Sequence, residues 1–163
     1  MIRDAVEADS KAISEIYNYY IRNTVITFEE QDVSAEEISR RIAKVQASGL
    51  WWLVIEVDNA IAGYAYCSKW QERSAYRKTV EVSVYLAHSA TGKGLGTKLY
   101  EELFQRLKNS SFHVVIGGIA LPNPASVALH ERFNMKKVSH FEEVGYKFSK
   151  WVDVGHWQLK LNA

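Results

Sequence analysis

Apolar and polar positions change period several times along this chain, and each change marks an element. Ile13, Ile16, Tyr17, Tyr20 and Ile21 recur at helical spacing behind a candidate cap at Asp9 or Ser10, which predicts a helix ending near Asn23. Thr24 to Glu30 carries no helical period. Ser34-x-x-Glu37 then reads as a capping box for a helix holding Ile38, Ile42 and Val45 and stopping around Gly49. Leu50–Val57 and Ala60–Trp70 are strand-like runs joined by Asp58-Asn59, a hairpin signal. Gln71–Lys78 is a polar loop. Val80, Val82, Val84 and Leu86 alternate as in a strand, and after a glycine-rich turn Leu95, Leu99 and Leu103 return to helical spacing. Phe112–Ala120 predicts another strand, and Asn123-Pro124 opens a helix with asparagine as N-cap and proline at its first position, ending near Phe133 or Asn134. Lys136–Lys147 and Gly155–Leu161 read as two final strands linked by Phe148–Val154, and Met1–Arg3 as a short edge strand.

The resulting order, β-α-α-β-β-β-α-β-α-β-β, predicts a mixed α/β or α+β domain with helices covering a mostly antiparallel sheet. With 163 residues, 47% apolar and 24% charged, one domain over 1–163 is expected. Lys plus Arg number 20 against 19 Asp plus Glu, a net charge of +1, which argues against a nucleic-acid surface. One cysteine, Cys67, excludes an internal disulfide or a Cys-rich metal site and reads as a core residue. The polar N-terminus and the lack of a long apolar run argue against a signal peptide or membrane span, so the cytoplasm is expected.

The densest chemistry lies between Thr79 and Glu102. A strand enters Gly92-Lys93-Gly94-Leu95-Gly96 and leaves as a helix, so successive backbone N–H groups and a helix N-terminus face one point, a natural cradle for phosphate oxygens. The spacing fits neither G-x-x-x-x-G-K-[ST] nor G-x-G-x-x-G, since no Gly-Lys-Ser/Thr occurs and Thr97 stands where the last glycine would be. A tight turn without a ligand is the plain alternative. Glu81 interrupts the apolar strand just before this turn. By spacing alone it is more readily a glutamate on a solvated strand face than a buried base.

The glycine turn resembles the acetyl-coenzyme A pyrophosphate loop of the GCN5-related N-acetyltransferases (GNAT), whose pattern is R/Q-x-x-G-x-G/A before a helix. Gly94 and Gly96 match, and Thr91 replaces the usual Arg or Gln. The family's later motif appears as Asn123-x-x-Ser126-x-x-x-His130. Further segments resemble the phosphinothricin and methionine-sulfone acetyltransferase branch: Tyr17-Asn18, Thr27-Phe28-Glu29-Glu30, Gly63-Tyr64-Ala65-Tyr66, Arg73-Ser74-Ala75-Tyr76-Arg77, Thr79-Val80-Glu81, Leu129-His130-Glu131-Arg132 and Val144-Gly145-Tyr146-Lys147-Phe148. Asn134-Met135 stands where the family usually has Gly-Phe.

The resemblance implies a sheet of about seven strands with about four helices, acetyl-CoA as co-substrate, no metal, and a homodimer. It implies Glu81 as the base that frees the acceptor amine, the Val82 N–H as stabiliser of the thioester oxygen, and His130 as a proton source for the leaving thiolate. A helix-capping or packing histidine is an equal reading of His130. Cofactor contacts are implied at Val84, Leu86, Gly92, Lys93, Gly94, Leu95, Gly96, Thr97, Asn123, Ser126 and His130. Phe28, Glu29, Arg73, Tyr76, Glu81, Lys147 and Phe148 are implied around the acceptor, with Arg73 suited to a carboxylate or phosphinate, Glu29 to the ammonium, and Lys147-Phe148 reaching the pocket of a neighbouring subunit. Direct acetyl transfer to a small amino-acid-like amine is therefore expected. A peptide N-terminus or another amine as acceptor, and a non-catalytic acyl-CoA-binding domain, are the rival readings.

Overall fold

The computed structural model describes residues 1–162. Seven strands, β1 (Ile2–Asp4), β2 (Trp52–Val57), β3 (Ala60–Lys69), β4 (Thr79–Leu86), β5 (Val114–Leu121), β6 (Lys136–Lys147) and β7 (Lys150–Lys160), form one sheet in the order β1-β2-β3-β4-β5-β7-β6. Four helices accompany them: α1 (Ser10–Asn23), α2 (Ala35–Ala47), α3 (Leu95–Lys108) and α4 (Pro124–Arg132). Every strand pair is antiparallel except β4 with β5. The mixed α/β architecture expected from the periodicity is thus present.

Local chemistry explains most boundaries. Ser34 Oγ accepts from the Glu37 N–H at 3.1 Å and starts α2, while the Glu37 carboxylate turns to Arg40 and Arg41 instead of closing a capping box. Asn123 Oδ1 accepts from the Ser126 N–H at 3.2 Å and starts α4. Asp9 does not cap α1 with its side chain. It accepts from the Val6 N–H and holds Arg3 in a two-pronged ion pair at 2.8 Å, so the candidate cap serves the 3-10 turn before the helix. Asp58 and Asn59 take left-handed φ values of 52° and 64°, as the β2–β3 hairpin requires.

The final hairpin departs from the sequence reading. β7 begins at Lys150, not Gly155, and the link is only Phe148-Ser149, not Phe148–Val154. Both link residues are left-handed, φ 54° and 59°, a conformation that Phe and Ser do not advertise in a sequence. Trp151 to Val154 are drawn into the sheet because β6 pairs with them on one side and β5 with Asp153 and Val154 on the other.

Period-2 alternation gives the sheet two chemically distinct faces. Val80 and Val82 of β4 and Ala65 and Cys67 of β3 point to the face that α3 covers with Leu99, Leu103 and Leu107, all fully buried. Each such leucine contributes roughly 1.5–3 kcal/mol of burial. Cys67 belongs to this core, and burial pushes its thiol up to about 11. Glu81, Ser83 and Tyr85 point to the opposite face, where α1 sets Tyr17 and Tyr20 edge-on to Tyr85 at 5.2 and 5.3 Å.

Candidate active site

The site is made by a failure of pairing. β4 and β5 run parallel and pair at Thr79–Val114, Val80–Val115 and Glu81–Ile116, and nowhere beyond. Past Glu81, β4 stays with β3 as far as Leu86 and β5 stays with β7 as far as Leu121, so the two central strands part. A small cavity of about 50 Å³ lies in this wedge, lined by Val82, Val84, Tyr100, Gly118, Asn123, Ser126 and His130 among others.

Main-chain direction in the wedge follows from register. The Ala87 N–H donates to the Ala62 carbonyl at 2.8 Å on the β3 side. Alternation then turns the N–H groups of Val82, Val84 and Leu86 toward β5. Val82 flanks the last parallel rung, and its N–H is the one that closes that rung; Val84 carries the first amide beyond it.

Glu81 stands at the foot of the wedge. It is half-buried, makes no ion pair and no side-chain hydrogen bond among the described residues, and burial raises its carboxyl above the ordinary range. Its Oε2 lies 3.5 Å from where a Cβ on Gly118 would stand, so the glycine leaves the space beside the carboxylate open.

His130 is held from both ends. Its Nδ1 donates to the Ser126 carbonyl at 2.7 Å, and its Nε2 is 3.1 Å from the Tyr100 hydroxyl, which donates to it. Burial lowers its pKa, so the ring is neutral with no proton directed into the wedge. It packs beneath Gly117, where an added Cβ would meet the ring at 2.7 Å.

The glycine turn has the form of an anion cradle. Gly92 and Gly94 take φ values of 78° and 77°, and no atom lies within 4 Å of where their Cβ would be. Gly94 is the N-cap of α3, no side chain caps that end, and the first-turn amides of Leu95, Gly96 and Thr97 face outward from it. The cradle therefore fits a pyrophosphate on backbone donors, with exposed Lys93 beside it. Thr91 closes the preceding turn, its hydroxyl donating to the His88 carbonyl at 3.1 Å. Asn123 spends its side-chain oxygen on capping and keeps its amide N–H₂ available.

The expected acceptor residues other than Glu81 sit on three parts of the chain: the α1–α2 connection, the β3–β4 loop and the end of the β6–β7 hairpin. Glu29 receives two hydrogen bonds from Arg41 at 2.9 Å and one from the Tyr17 hydroxyl, and its pKa is lowered chiefly by Arg41. Its charge is thus already matched by a guanidinium within the chain. Arg73 and Tyr76 lie on the exposed β3–β4 loop, Tyr76 edge-on to Trp70 at 5.2 Å. Phe28 lies over Gly145, and Lys147 is buried and donates to the Thr27 carbonyl of its own chain at 2.8 Å, with Phe148 beneath its ammonium. Lys147 thus braces the α1–α2 connection of its own chain, while Phe148 is half exposed.

Sequence reasoning missed one feature on the Glu81 face. Ser68 is the cross-strand partner of Glu81 and Tyr66 that of Ser83, and both line a cavity of about 320 Å³ beneath α2. Trp52 stacks on Tyr66 at 4.2 Å, and Arg41, Lys44, Lys69 and Glu72 complete the walls. The indole N–H of Trp52 is buried without a partner among the described residues. Only the pairing of β3 with β4 places these residues beside Glu81, and no short motif carries that information.

Residues 2–156 match the family described as Acetyltransferase (GNAT) domain. A phosphinothricin N-acetyltransferase of Streptomyces coelicolor is 37% identical over 98% of this chain and 95% of its own. An L-methionine sulfoximine/L-methionine sulfone acetyltransferase of Salmonella typhimurium is 34% identical over 99% of this chain and 94% of its own. Among solved structures, a GNAT superfamily phosphinothricin acetyltransferase from Sinorhizobium meliloti in complex with AcCoA superposes with a TM-score of 0.95 at 35% identity, covering 98% of this chain and 87% of that one.

Proposed function

Since the chain belongs to the GNAT acetyltransferase family, we propose that it carries acetyl from acetyl-CoA directly to the α-amino group of a small amino-acid-like acceptor, with phosphinothricin, methionine sulfone and methionine sulfoximine the first candidates. The observation that carries this reading is Glu81: a half-buried carboxylate with no hydrogen-bond or ion-pair partner among the described residues, at the point where the sheet opens.

The roles follow from the geometry. Bound acetyl-CoA supplies the activated acetyl group. Backbone amides from Gly92 to Thr97 hold its pyrophosphate, and the wedge-facing main chain of Val84 and Leu86 guides its arm inward. The thioester oxygen takes the Val84 N–H, one step beyond the Val82 donor first expected, because the Val82 N–H is used in the last rung. Glu81 deprotonates the acceptor ammonium, which cannot attack while protonated. His130 keeps Tyr100 and the wall of the wedge in place, and the thiolate leaves without its help. No cysteine is placed to form an acyl-enzyme, since Cys67 is sealed in the core.

The acceptor side chain lies along the cavity beneath α2, where Lys44, Lys69 and the unpartnered Trp52 N–H offer donors to polar oxygens. A second copy of the chain covers the long β6–β7 hairpin. Val138, Phe141, Val144, Tyr146 and Trp151 there are each more than half exposed, a patch too apolar to leave to water. Sedimentation should show a dimer that Tyr146→Glu with Trp151→Glu converts to a folded monomer; a wild-type monomer would sink this assignment.

The test of the activity is thiol release from acetyl-CoA with phosphinothricin, methionine sulfone, ordinary amino acids, polyamines and a short peptide, for wild type beside Glu81→Gln. Turnover with the sulfone or phosphinate amino acids, largely lost in the variant, is expected. Turnover confined to peptide or polyamine would keep the chemistry and overturn the acceptor. Tight acetyl-CoA binding with no turnover of any amine would favour a binding module.

A further inference from the structure

Glu81 shares the open space over Gly118 with a second titratable side chain. His156 of β7 is the cross-strand partner of Gly118. Its Nε2 lies 3.5 Å from the position a Gly118 Cβ would take, the same separation as Glu81 Oε2. The two atoms are therefore at most twice 3.5 Å apart, with no hydrogen bond between them and a glycine beneath the gap. Two groups so close can both reach one acceptor nitrogen, directly or through a water. The His156 ring is held in place. Ser139 Oγ is 2.8 Å from Nδ1, and Phe141 stands edge-on at 5.9 Å. In the tautomer with its proton on Nδ1, the ring donates to Ser139 and keeps the Nε2 lone pair free at the edge that lies over Gly118.

Proton counting says why two groups are useful. The acceptor enters as R–NH₃⁺ and leaves as an amide with one hydrogen on nitrogen, so two protons leave that nitrogen. The first must go before attack. The second becomes acidic once the C–N bond forms, and a single carboxylate that already holds a proton cannot take it.

We propose that Glu81 accepts the first proton and His156 Nε2 the second, with Ser139 as the residue that positions the ring. The nitrogen lone pair forms the C–N bond, the C–S bond breaks, and its electron pair leaves on the thiolate. One of the two protons is then taken up by the thiolate and the other goes to solvent, so charge and atoms balance. This inference rests on the acetyltransfer reading above, and assigns His156 a catalytic role within it.

Steady-state kinetics of the full chain test it. His156→Phe keeps a flat ring and loses the nitrogen; its kcat should fall about ten- to a hundred-fold, the low end of what a positioned base supplies. Its KM for acetyl-CoA should stay within about twofold, because His156 lines neither the wedge nor the glycine turn assigned to the cofactor. Ser139→Ala should lower kcat by a smaller factor. Imidazole added to His156→Ala should restore part of the lost kcat, a response that neither Glu81→Gln nor a merely destabilised protein gives. Should His156→Phe not fold, the His156→Ala and imidazole pair decides alone. An unchanged kcat in folded His156→Phe, or a raised KM with kcat intact, would overturn the proposal while leaving acetyltransfer standing. A wild type that turns over no amine would overturn both, so the two failures are distinguishable.

Discussion

Two glutamates on the α1–α2 side of the sheet show how placement decides what a carboxylate does. Glu29, in the connection between α1 and α2, is gripped by Arg41 and Tyr17, and its pKa is lowered chiefly by the Arg41 hydrogen bonds. Glu81, on β4, makes no ion pair among the described residues, and burial raises its pKa. The first has donors that satisfy its charge, which makes it a brace. The second is held in partly apolar surroundings where its charge is poorly compensated, which makes it ready to accept a proton. Both were expected to face the acceptor; only the structure separates their duties.

Exchanging each carboxylate for its amide tests that separation most severely at Glu81. Glu81→Gln should lower kcat by about 10²- to 10⁴-fold, or about 3–5 kcal/mol of barrier. The melting temperature should hold or rise, since a poorly compensated charge is removed. A variant that keeps its turnover would end the role of Glu81 as base.

Arg41→Met asks whether Glu29 is a brace. It strands the Glu29 carboxylate beside Tyr17 and takes one of two arginines from Glu37, so unfolding should become easier by about 1–2 kcal/mol. Denaturant titration reads this directly. Turnover by the remaining folded protein should stay within a few-fold; a loss as deep as that of Glu81→Gln would mean Arg41 contacts the acceptor and would merge the two regions.

Much of this contrast was present in the sequence, but not its decisive half. Helical spacing in α1, α2 and α3, the Asn123-Pro124 start of α4 and the Asp58-Asn59 turn are local signals, and local hydrogen bonds realise them. The start of β7 was hidden because Phe148 and Ser149 adopt left-handed φ without glycine or asparagine to mark it. The wedge was hidden for another reason. Nothing in Thr79–Leu86 or Val114–Leu121 says that pairing stops after Glu81; that follows from β5 being held by β7 while β4 is held by β3. The same applies to Arg41 and His156, ordinary surface types in a sequence, whose meaning comes from strands and helices far away along the chain.

Glu29→Gln removes the brace more gently than Arg41→Met, because Arg41 keeps Glu37 at 2.8 Å and Tyr17 keeps Thr27. A loss of about 1 kcal/mol is expected for so exposed a pair. Turnover should be nearly unchanged. An acceptor KM raised tenfold without loss of stability would make Glu29 a binder of the substrate ammonium and not a brace.

The smallest effects are those of pH on stability, and here the two carboxylates have opposite signs. Glu29 titrates lower when folded than its ordinary 4.5. The unfolded chain therefore binds more protons below that value, and the stability Glu29 contributes is present above 4.5 and lost as pH falls through its folded pKa. Glu81 titrates higher when folded, so the folded state binds more protons between 4.5 and the raised value. Its contribution is present below 4.5 and is lost as pH rises through the folded pKa. Denaturation midpoints of Glu29→Gln and Glu81→Gln, each subtracted from wild type between pH 2 and pH 8, should give difference curves sloping in opposite directions, the Glu29 slope below 4.5 and the Glu81 slope above it. Parallel slopes would mean that both carboxylates share one environment, and the division between brace and base would fall. The acid limb of kcat/KM supplies the matching kinetic sign: activity needs ionised Glu81, so that limb should lie above the ordinary carboxylate range and vanish in Glu81→Gln, while Glu29→Gln leaves it in place.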